Sequence, residues 1–315
     1  MYYIGIDIGG MSIKIGLVDD TGKVLCKKKV STIKGDAQKM MDITADAIDA
    51  LLAENSLTVK DLYGIGIGSP GLISSKTGVI ECAYNLEWFK APIVDMLKKR
   101  FDTKILLSND ANVAALGEVI FGAGKPYDDV IMVTLGTGVG AGVIIDKKLY
   151  EGGESKGTEL GHTTLILGGE PCSCGRNGCL ESYVSATALI RDTKRAMEKN
   201  KDSLMWTLAE GSIDNVNGMT AFTAYKQGDK TAIEVVNTFV MYLSEGLMNF
   251  MNIFRPQAII IGGGISGEGK YFTDLVDNYC KSKHYGFLNA PKVDIIVATN
   301  GNDAGIIGAA SLIKA

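Results

Sequence analysis

Features of membrane, exported and nucleic-acid-binding proteins are missing from this sequence of 315 residues. No apolar run approaches the roughly 20 residues that a membrane-spanning helix requires. The chain opens without the basic and apolar segments of a secretory signal, so we expect a cytoplasmic protein with reduced cysteines. The formal net charge is -4 and the longest basic run is the three lysines at 27–29, which argues against a nucleic-acid partner.

Two widespread nucleotide-binding motifs are also absent or incomplete. The pattern G-x-x-x-x-G-K-[ST] of P-loop proteins does not occur. A formal G-x-G-x-x-G is present at Gly66, Gly68 and Gly71, but the residues that follow do not open a helix as a dinucleotide fingerprint requires. A nucleotide site in this chain would therefore be of another type.

Histidine is scarce, and the position of one of the two histidines is informative. His162 lies shortly before Cys172, Cys174 and Cys179, which are three of the six cysteines. Three thiols and one imidazole form the ligand set of a closed tetrahedral zinc site, and the glycines among them let the loop curl tightly. The alternatives are a disulfide, which a reducing compartment disfavours, and three buried cysteines without a metal. We predict a structural Zn²⁺ that holds this loop.

Length and periodicity predict an α/β fold with two domains or lobes. The hydrophobic content of 46% and the charged content of 22% are those of an ordinary globular protein. Apolar strand-like segments alternate with amphipathic helical segments along the chain. The clearest elements are a strand Tyr3–Ile8, a helix after the N-cap Asp36, a helix Lys230–Phe254 and an apolar strand Ala258–Ile261.

A faint internal duplication suggests that the two lobes are related. The opening strand, glycine turn and strand, Ile6–Gly16, is echoed by Leu135–Gly142. Later in each half, Leu107–Ala111 is echoed by Thr299–Ala304, and a helix with alanine and glycine follows each. Two echoes in the same order predict a duplicated unit with a cleft between the copies, although glycine-rich turns also resemble each other by chance.

Three glycine-rich turns are candidates for nucleotide binding. A tight glycine turn lets successive backbone N–H groups point at one anion, and a larger side chain would obstruct it. Each turn alone can be an ordinary hairpin or strand-to-helix turn, but three in lobe-related places favour a nucleotide. Asp7 ends the first strand and can orient a hydrated Mg²⁺ near the phosphates. The turn residues are Gly9, Gly10, Ser12, Gly136, Thr137, Gly138, Gly262, Gly263 and Gly264.

Asp110 is the candidate catalytic base. It follows a predicted strand, Lys104–Leu107, and begins a helix, so its carboxylate should project at the carboxyl edge of a sheet, where α/β proteins bind ligands. A carboxylate there can take a proton from a substrate hydroxyl as that hydroxyl attacks a phosphoryl group. The alternative is that Asn109 or Asp110 only caps the helix, a role that contributes about 1 kcal/mol.

These motifs together resemble those of the ROK family (repressors, open reading frames and sugar kinases), within the actin/hexokinase/heat-shock ATPase superfamily. The resemblance runs through essentially the whole chain. Asp7–Gly10 is similar to the first phosphate motif, Leu135–Gly140 to the second, and Gly262–Gly264 stands at the adenosine position. Glu159–His162 followed by Cys172–Glu181 resembles the signature of the family, which is the most specific of these matches.

The resemblance implies an ATP- and Mg²⁺-dependent hexokinase with glucose as the expected sugar, built from duplicated ribonuclease H-like lobes. It implies that Asp110 is the general base toward the 6-hydroxyl of the sugar, and that His162 shares the zinc with the three cysteines. The implied sugar-binding residues are Gly71, Asn109, Asp110, Glu159, His162 and Glu181, with Asn85 as a weaker candidate.

The resemblance also implies the organisation of the chain and its assembly. The smaller lobe is expected at 1–115, joined by a C-terminal helix at about 302–315. The larger lobe, which carries the zinc loop, is expected at 116–301. A homodimer is the expected assembly.

Two positions depart from the family pattern. Met11 stands where a threonine usually follows the double glycine, so a hydroxyl donor near the phosphates is lost, and Ser12 is an imperfect replacement. Ala141 stands where a third glycine is common. Neither departure affects Asp110 or the zinc signature, and activity is still expected.

Other functions remain open on these residues. Kinases for N-acetylmannosamine, mannose, fructose, allose or a β-glucoside would present similar residues to similar hydroxyls. A sugar-sensing regulator of the same family would need an additional amino-terminal helix-turn-helix, for which we expect no room before a strand that begins at about Tyr2. A non-catalytic binder of sugar or nucleotide is a third alternative, which Met11 motivates.

Overall fold

A computed structural model describes residues 1–286 and 289–315. The described chain divides into two compact units. Unit 1 comprises Met1–Ile131, Gly142–Thr158 and Ala298–Ala315, and unit 2 comprises Met132–Ala141 and the described part of Glu159–Val297. Unit 1 takes in more of the chain than the predicted smaller lobe, because the helix that begins at Asp110 continues to Phe121 and the segment 142–158 also belongs to this unit. The predicted lobe bounds stay a prediction.

The secondary-structure elements follow in chain order. The strands are β1 Tyr2–Ile8, β2 Ser12–Val18, β3 Val24–Ser31, β4 Leu62–Ser69, β5 Leu72–Ser74, β6 Val79–Ala83, β7 Trp88–Ala91, β8 Ile105–Asn109, β9 Val130–Leu135, β10 Val139–Ile145, β11 Lys148–Tyr150, β12 Ala258–Gly262 and β13 Asp294–Val297. The helices are α1 Ala37–Glu54, α2 Ile93–Lys98, α3 Asp110–Phe121, α4 Glu181–Val184, α5 Ala186–Lys199, α6 Leu204–Leu208, α7 Thr220–Lys226, α8 Lys230–Phe254, α9 Lys270–Cys280 and α10 Ala304–Lys314. Short 3-10 helices lie at Val59–Asp61, Gly153–Ser155, Leu160–His162, Ile213–Asn215, Gly264–Glu268 and Gly301–Asp303. Within 1–286 and 289–315, no helix combines the length and apolar character needed to cross a bilayer.

Two sheets of the described chain share one strand order, which confirms the predicted α/β class and its duplication. The first sheet has the order β3-β2-β1-β4-β8, with antiparallel β1, β2 and β3 and with β4 parallel to both β1 and β8. The second has the corresponding order β11-β10-β9-β12-β13, with antiparallel β10 and β11 and parallel β12 and β13. Two of the four unit boundaries fall within β9 and β10. Strands β5, β6 and β7 form a separate antiparallel sheet in unit 1, which the sequence analysis did not predict.

Several helices begin where a side chain accepts a hydrogen bond from a backbone N–H of the first turn. The predicted N-cap Asp36 accepts a hydrogen bond from the N–H of Lys39 at 2.9 Å, and α1 buries one apolar face. Helix α8 has the predicted bounds, with the Asp229 side chain accepting from Ala232 N–H at 2.7 Å. Arg255 ends α8 in the left-handed conformation with φ of 46°. These local predictions are confirmed.

Glycines let α10 lie directly against the first sheet. A Cβ atom on Gly5 would lie 2.0 Å from the carbonyl oxygen of Ile306, and one on Gly66 would lie 1.8 Å from that of Ala309. Because no side chain fits at these two positions, the backbone of α10 can approach β1 and β4 closely. Gly66 therefore serves helix–sheet packing, and β5 rather than a helix follows this glycine pattern, as predicted.

A buried carboxylate joins α3 to the segment that precedes α10. Glu118 is 0% exposed and accepts hydrogen bonds from the N–H groups of Ala123 (2.8 Å), Thr299 (2.9 Å) and Asn300 (2.8 Å) and from the Thr299 hydroxyl (3.1 Å). A buried carboxylate is tolerated when several donors surround it. The far end of the helix that begins with Asp110 is thus held in place within unit 1.

Glu118→Gln is expected to lower the free energy of unfolding by about 2–4 kcal/mol. The amide removes the negative charge and replaces one acceptor with a donor, which leaves buried N–H groups without good partners. The measurement is chemical denaturation of the two proteins. Glu54→Gln, at an exposed carboxylate of α1, is the control and should change stability by less than about 0.5 kcal/mol. Equal stability of both variants would contradict this role of Glu118.

Candidate functional site

The predicted catalytic base lies at the junction of β8 and α3 in unit 1. Asn109 is the N-cap of α3, and its side chain accepts a hydrogen bond from Ala111 N–H at 2.9 Å. Asp110 is the first residue of the helix, is exposed, and accepts from the same N–H at 2.8 Å. Asn109 therefore supplies the cap, and the exposed carboxylate of Asp110 is accessible to a substrate.

Two predicted sugar-binding residues meet beside this junction. The Asn109 amide donates a hydrogen bond to the carbonyl oxygen of Gly71 at 3.3 Å. Gly71 has a φ of +102°, and a Cβ there would lie 2.3 Å from the carbonyl oxygen of Cys82, so only glycine fits. The weaker candidate Asn85 lies shortly after β6, and its side-chain amide nitrogen would be 3.5 Å from a Cβ on Gly10. Within unit 1, Asn85 thus lies beside the first glycine turn, and Asn109 lies beside Gly71.

The first glycine turn connects β1 and β2. Gly9 N–H donates to the carbonyl oxygen of Ser12 at 3.1 Å, and the Thr32 hydroxyl donates to the carbonyl oxygen of Gly9 at 2.7 Å. Thr32 also donates its N–H to the Met11 carbonyl oxygen at 3.1 Å, while the Met11 side chain is 90% exposed. Sequence reasoning missed Thr32, because no local pattern relates it to a turn twenty residues earlier.

Asp7 forms an ion pair that sequence reasoning also missed. Its carboxylate accepts a hydrogen bond from Lys14 Nζ at 3.2 Å, across the register of β1 and β2. A Cβ on Gly305 would lie 2.4 Å from Asp7 Cγ, so α10 closes over this carboxylate. One partly exposed carboxylate is a suitable outer partner for a hydrated Mg²⁺, since this ion keeps several waters and takes its other ligands from phosphates. The ammonium group of Lys14 lies beside the same carboxylate of Asp7.

The second glycine turn lies in unit 2 between β9 and β10. Gly136 N–H donates to the Gly138 carbonyl oxygen at 3.0 Å. Two hydrogen bonds connect the start of α5 to this turn. Ala186 N–H donates to the Gly136 carbonyl oxygen at 2.8 Å, and the Thr187 hydroxyl donates to the Thr137 carbonyl oxygen at 2.8 Å. These contacts give the predicted phosphate-binding turn a defined shape.

The third glycine segment lies next to the second turn. Gly262 ends β12, and Gly263 has a φ of +84° that favours glycine. A Cβ on Gly263 would lie 2.5 Å from the carbonyl oxygen of Leu135, the residue before Gly136. Gly264 then begins a 3-10 helix. Unit 2 therefore brings two of the predicted nucleotide-binding segments together.

The predicted zinc ligands converge in unit 2. One ligand atom from each of His162, Cys172, Cys174 and Cys179 lies within 4.8 Å of all the others. The Cys174 and Cys179 sulfurs are 3.7 Å apart, and Cys172 Sγ is 3.5 Å from His162 Nδ1. With metal–sulfur bonds of about 2.3 Å, a tetrahedron has edges of about 3.8 Å, so the donors fit Zn²⁺.

The loop around the zinc ligands is shaped by backbone hydrogen bonds. Cys172 N–H donates to the Arg176 carbonyl oxygen at 2.8 Å, and Leu180 N–H donates to that of Thr163 at 2.9 Å. Gly178 has a φ of +84°, and a Cβ there would lie 1.7 Å from the carbonyl oxygen of Ile166. Glycine is therefore required immediately before Cys179.

The thiols differ in their acidity. Burial raises the pKa of Cys179 to about 12, whereas the backbone N–H of Arg176 lowers the pKa of Cys174 below its ordinary value. Without a metal, Cys179 is thus a neutral thiol at neutral pH. Binding of a cation releases this proton, so zinc binding should strengthen as the pH rises.

Glu181 connects the zinc loop to the second glycine turn. Its carboxylate accepts hydrogen bonds from Val139 N–H at 2.9 Å and from the Ser173 hydroxyl at 2.9 Å, and Cys172 Sγ lies 3.6 Å away. A Cβ on Gly138 would lie 2.4 Å from Glu181 Oε2. The predicted role of Glu181 in sugar binding stays a prediction, and the contact with Ser173 was missed by sequence reasoning.

Glu159 and His162 bound the short 3-10 helix before the zinc loop. His162 N–H donates to the Glu159 carbonyl oxygen at 3.0 Å, and the Glu159 side chain is exposed. Gly161 packs on the start of β10, where a Cβ would lie 2.1 Å from the Val139 carbonyl oxygen. With Nδ1 of His162 facing the thiols, Nε2 is the ring nitrogen available to another group.

Comparison with known proteins identifies the family. The sequence pattern that defines the ROK family matches residues 3–315 of this chain. The chain belongs to the ROK family. The resemblance inferred from its motifs is thereby confirmed.

Individual ROK relatives include kinases and repressors. The chain is 36% identical to a glucokinase of Thermotoga maritima over 319 residues, which cover 99% of this chain and 96% of that enzyme. A crystal structure of a ROK family glucokinase from Streptomyces griseus, in complex with glucose and AMPPNP, has a TM-score of 0.83, 34% identity and 99% coverage of both chains. A xylose repressor of Caldicellulosiruptor bescii is 32% identical over 274 residues, covering 86% of this ROK chain and 68% of the repressor.

Proposed function

We propose that this ROK protein is a glucokinase that transfers the terminal phosphoryl group of ATP to the 6-hydroxyl of glucose. The observation that carries the proposal is the exposed carboxylate of Asp110 at the junction of β8 and α3, next to an Asn109 that already caps the helix. Full-length similarity to glucokinases, one of them crystallised with glucose and AMPPNP, supports the choice of substrates.

In the proposed reaction, Asp110 takes the proton of the sugar hydroxyl as that hydroxyl attacks the phosphoryl group. Asn109 and the backbone at Gly71 would orient the sugar. Glu159, His162 and Glu181 would bind sugar hydroxyls. His162 can serve both roles, since Nδ1 faces the zinc ligands and Nε2 can donate to a hydroxyl.

The nucleotide is assigned to the three glycine segments, and two ions are part of the proposal. The backbone N–H groups near Gly9–Ser12 and Gly136–Gly138 would bind phosphates, and Gly262–Gly264 would lie against the adenosine. Zn²⁺ would be held by the four-residue cluster and would keep the loop folded. Mg²⁺ beside Asp7 would neutralise phosphate charge.

A coupled assay of ATP consumption with a panel of hexoses tests the proposal. We expect the highest kcat/KM with glucose, and lower values with mannose, fructose, allose, N-acetylmannosamine and a β-glucoside. Product analysis should locate the phosphate on the 6-position. Absence of turnover with every sugar in the presence of ATP and Mg²⁺ would refute the kinase and favour a non-catalytic binder.

A sugar-sensing regulator is the second candidate, because a xylose repressor is among the relatives of this chain. The net charge of -4 argues against a DNA-binding face. A DNA-shift experiment with and without sugar distinguishes the candidates. Tight, sequence-specific binding that sugar reverses would favour the regulator.

The proposal includes a homodimer that acts in the cytoplasm, in glycolysis. The dimer is supported by the family resemblance. Light scattering coupled to size-exclusion chromatography tests it, and a mass near that of one chain, 33.5 kDa, would exclude the dimer.

Met11→Thr is expected to lower KM for ATP about fivefold. A threonine hydroxyl can donate to a phosphate oxygen, and one such net hydrogen bond contributes about 1 kcal/mol. The backbone contact of Met11 with Thr32 is kept. Met219→Thr, at another exposed methionine, is the control and should leave KM unchanged. An unaltered KM in Met11→Thr would show that this side chain does not face the phosphates.

A further inference from the structure

A half-buried carboxylate, Glu151, lies in unit 1 and has no role in the site described so far. Its Oε1 accepts a hydrogen bond from the Ser108 hydroxyl at 2.5 Å, and its Oε2 accepts one from the Ser75 hydroxyl at 2.7 Å. In residues 1–286 and 289–315, no lysine or arginine forms an ion pair with it; the nearby Lys156 pairs with Glu81 at 3.9 Å. Both carboxylate oxygens are thus used to hold hydroxyl groups.

Ser108 connects this carboxylate to the residues around Asp110. It is 1% exposed, pairs with Gly68 in the ladder of β4 and β8, and immediately precedes Asn109. Its hydroxyl also lies 3.5 Å from the amide nitrogen of Asn112 in the first turn of α3. Asp110 stands between Ser108 and Asn112 in the chain, so the Ser108 hydroxyl links Glu151 to the first turn of the helix that Asp110 begins.

The backbone of Glu151 is itself held, which makes its side chain a firm support. Gly157 N–H donates to the Glu151 carbonyl oxygen at 2.7 Å and closes the segment 151–157 on itself. The β-branched Thr158 follows with a φ of +64°, a strained left-handed conformation that persists only when the surrounding contacts enforce it.

We propose that Glu151 is a positioning residue that acts through Ser108 on the catalytic base. The inference rests on the proposed function, since it assigns Glu151 a part in the reaction of Asp110. Glu151 touches neither sugar nor nucleotide in this proposal. Its charge-assisted hydrogen bond with Ser108 holds the end of β8 so that the Asp110 carboxylate keeps its orientation toward the attacking hydroxyl, while the bond with Ser75 anchors the Glu151 carboxylate itself. Small misplacements of a reacting group are costly, up to about 100-fold for about 1 Å.

The test is a double-substitution cycle with Glu151→Ala, Ser108→Ala and the pair together. We expect kcat for glucose to fall about tenfold in each single variant, and the pair to be no worse than the lower single. KM for glucose and for ATP should stay within about twofold. Calorimetric titration with glucose gives the fraction of binding-competent protein, so that loss of folded enzyme is separated from loss of kcat.

Matched variants distinguish positioning from a general loss of structure. Glu81→Gln removes a carboxylate that forms an ion pair with Lys156, in the segment 151–157 that also contains Glu151. This substitution should leave kcat unchanged. Ser75→Ala removes the other hydrogen bond of Glu151 and should reduce kcat less than Ser108→Ala does. Glu151→Gln, which keeps an acceptor for Ser108, should recover part of the loss. If Glu151→Ala does not fold, kcat of Ser108→Ala is compared with kcat of Ser75→Ala. A larger loss in Ser108→Ala supports the positioning role, and equal losses contradict it.

The outcomes separate this inference from the proposed function. An active wild-type enzyme whose kcat is unaffected by Glu151→Ala and Ser108→Ala would overturn the positioning role alone. If the fold loss of kcat in the double variant equals the product of the two single losses, the two residues act independently, and the positioning role is overturned as well. A wild-type protein without turnover on any hexose would overturn the proposed function and this inference with it.

Discussion

Asp110→Asn is expected to lower kcat for glucose phosphorylation by about 1,000-fold while glucose still binds. General-base catalysis contributes about 10²–10⁴-fold, and an amide cannot accept the proton of the 6-hydroxyl. The substitution preserves shape, and the Asn109 side chain accepts the N-cap hydrogen bond from Ala111 N–H, so the helix should remain intact. A coupled assay of ATP consumption gives kcat, and calorimetric titration gives the dissociation constant for glucose.

The matched control is Asp95→Asn in α2. Asp95 is also an exposed aspartate in the first turn of a helix, so both variants lose one negative charge at a helix N-terminus. That loss alone costs about 0.3–1 kcal/mol. We expect Asp95→Asn to keep wild-type kcat. Near-normal turnover by Asp110→Asn would show that another group is the base.

Cys179→Ser is expected to abolish stoichiometric zinc and to lower the free energy of unfolding by more than about 4 kcal/mol. Loss of a structural metal is one of the few single changes with effects of this size, because metal binding and folding are coupled. The Glu181 carboxylate ties the zinc loop to Val139 of the second glycine turn, so kcat should fall as well. Metal analysis, thermal unfolding and the coupled assay measure the three effects.

Cys280→Ser is the control for the zinc prediction. Cys280 is 2% exposed and Cys179 is 0% exposed, and both lie in unit 2, but Cys280 is outside the four-residue cluster. It should retain about one zinc per chain and respond to a chelator as the wild type does. If Cys179→Ser and Cys280→Ser lose stability equally and neither changes the zinc content, the cluster is not a zinc site.

The base and cap alternatives at Asn109 and Asp110 show where sequence reasoning stops. Both residues are suitable N-caps, and their order along the chain does not say which side chain turns back to the helix. The structure assigns the cap to Asn109, although Asp110 also contacts the same N–H, and it leaves the Asp110 carboxylate exposed. Rotamers at a junction depend on neighbours from other elements, such as Gly71 against Asn109.

Elements and motifs that depend on close neighbours along the chain can be predicted from the amino-acid order. The bounds of α8, the N-cap Asp36 and the convergence of the zinc ligands follow from periodicity, capping and ligand spacing, which are local rules. Contacts between polar groups that are distant in the chain depend on the tertiary fold. Glu151 reaches Ser108 and Ser75 across 43 and 76 positions, and Glu181 reaches Val139 across 42. Such pairings arise only when the packing of strands and helices brings the partners together, so no pattern of adjacent residues contains them.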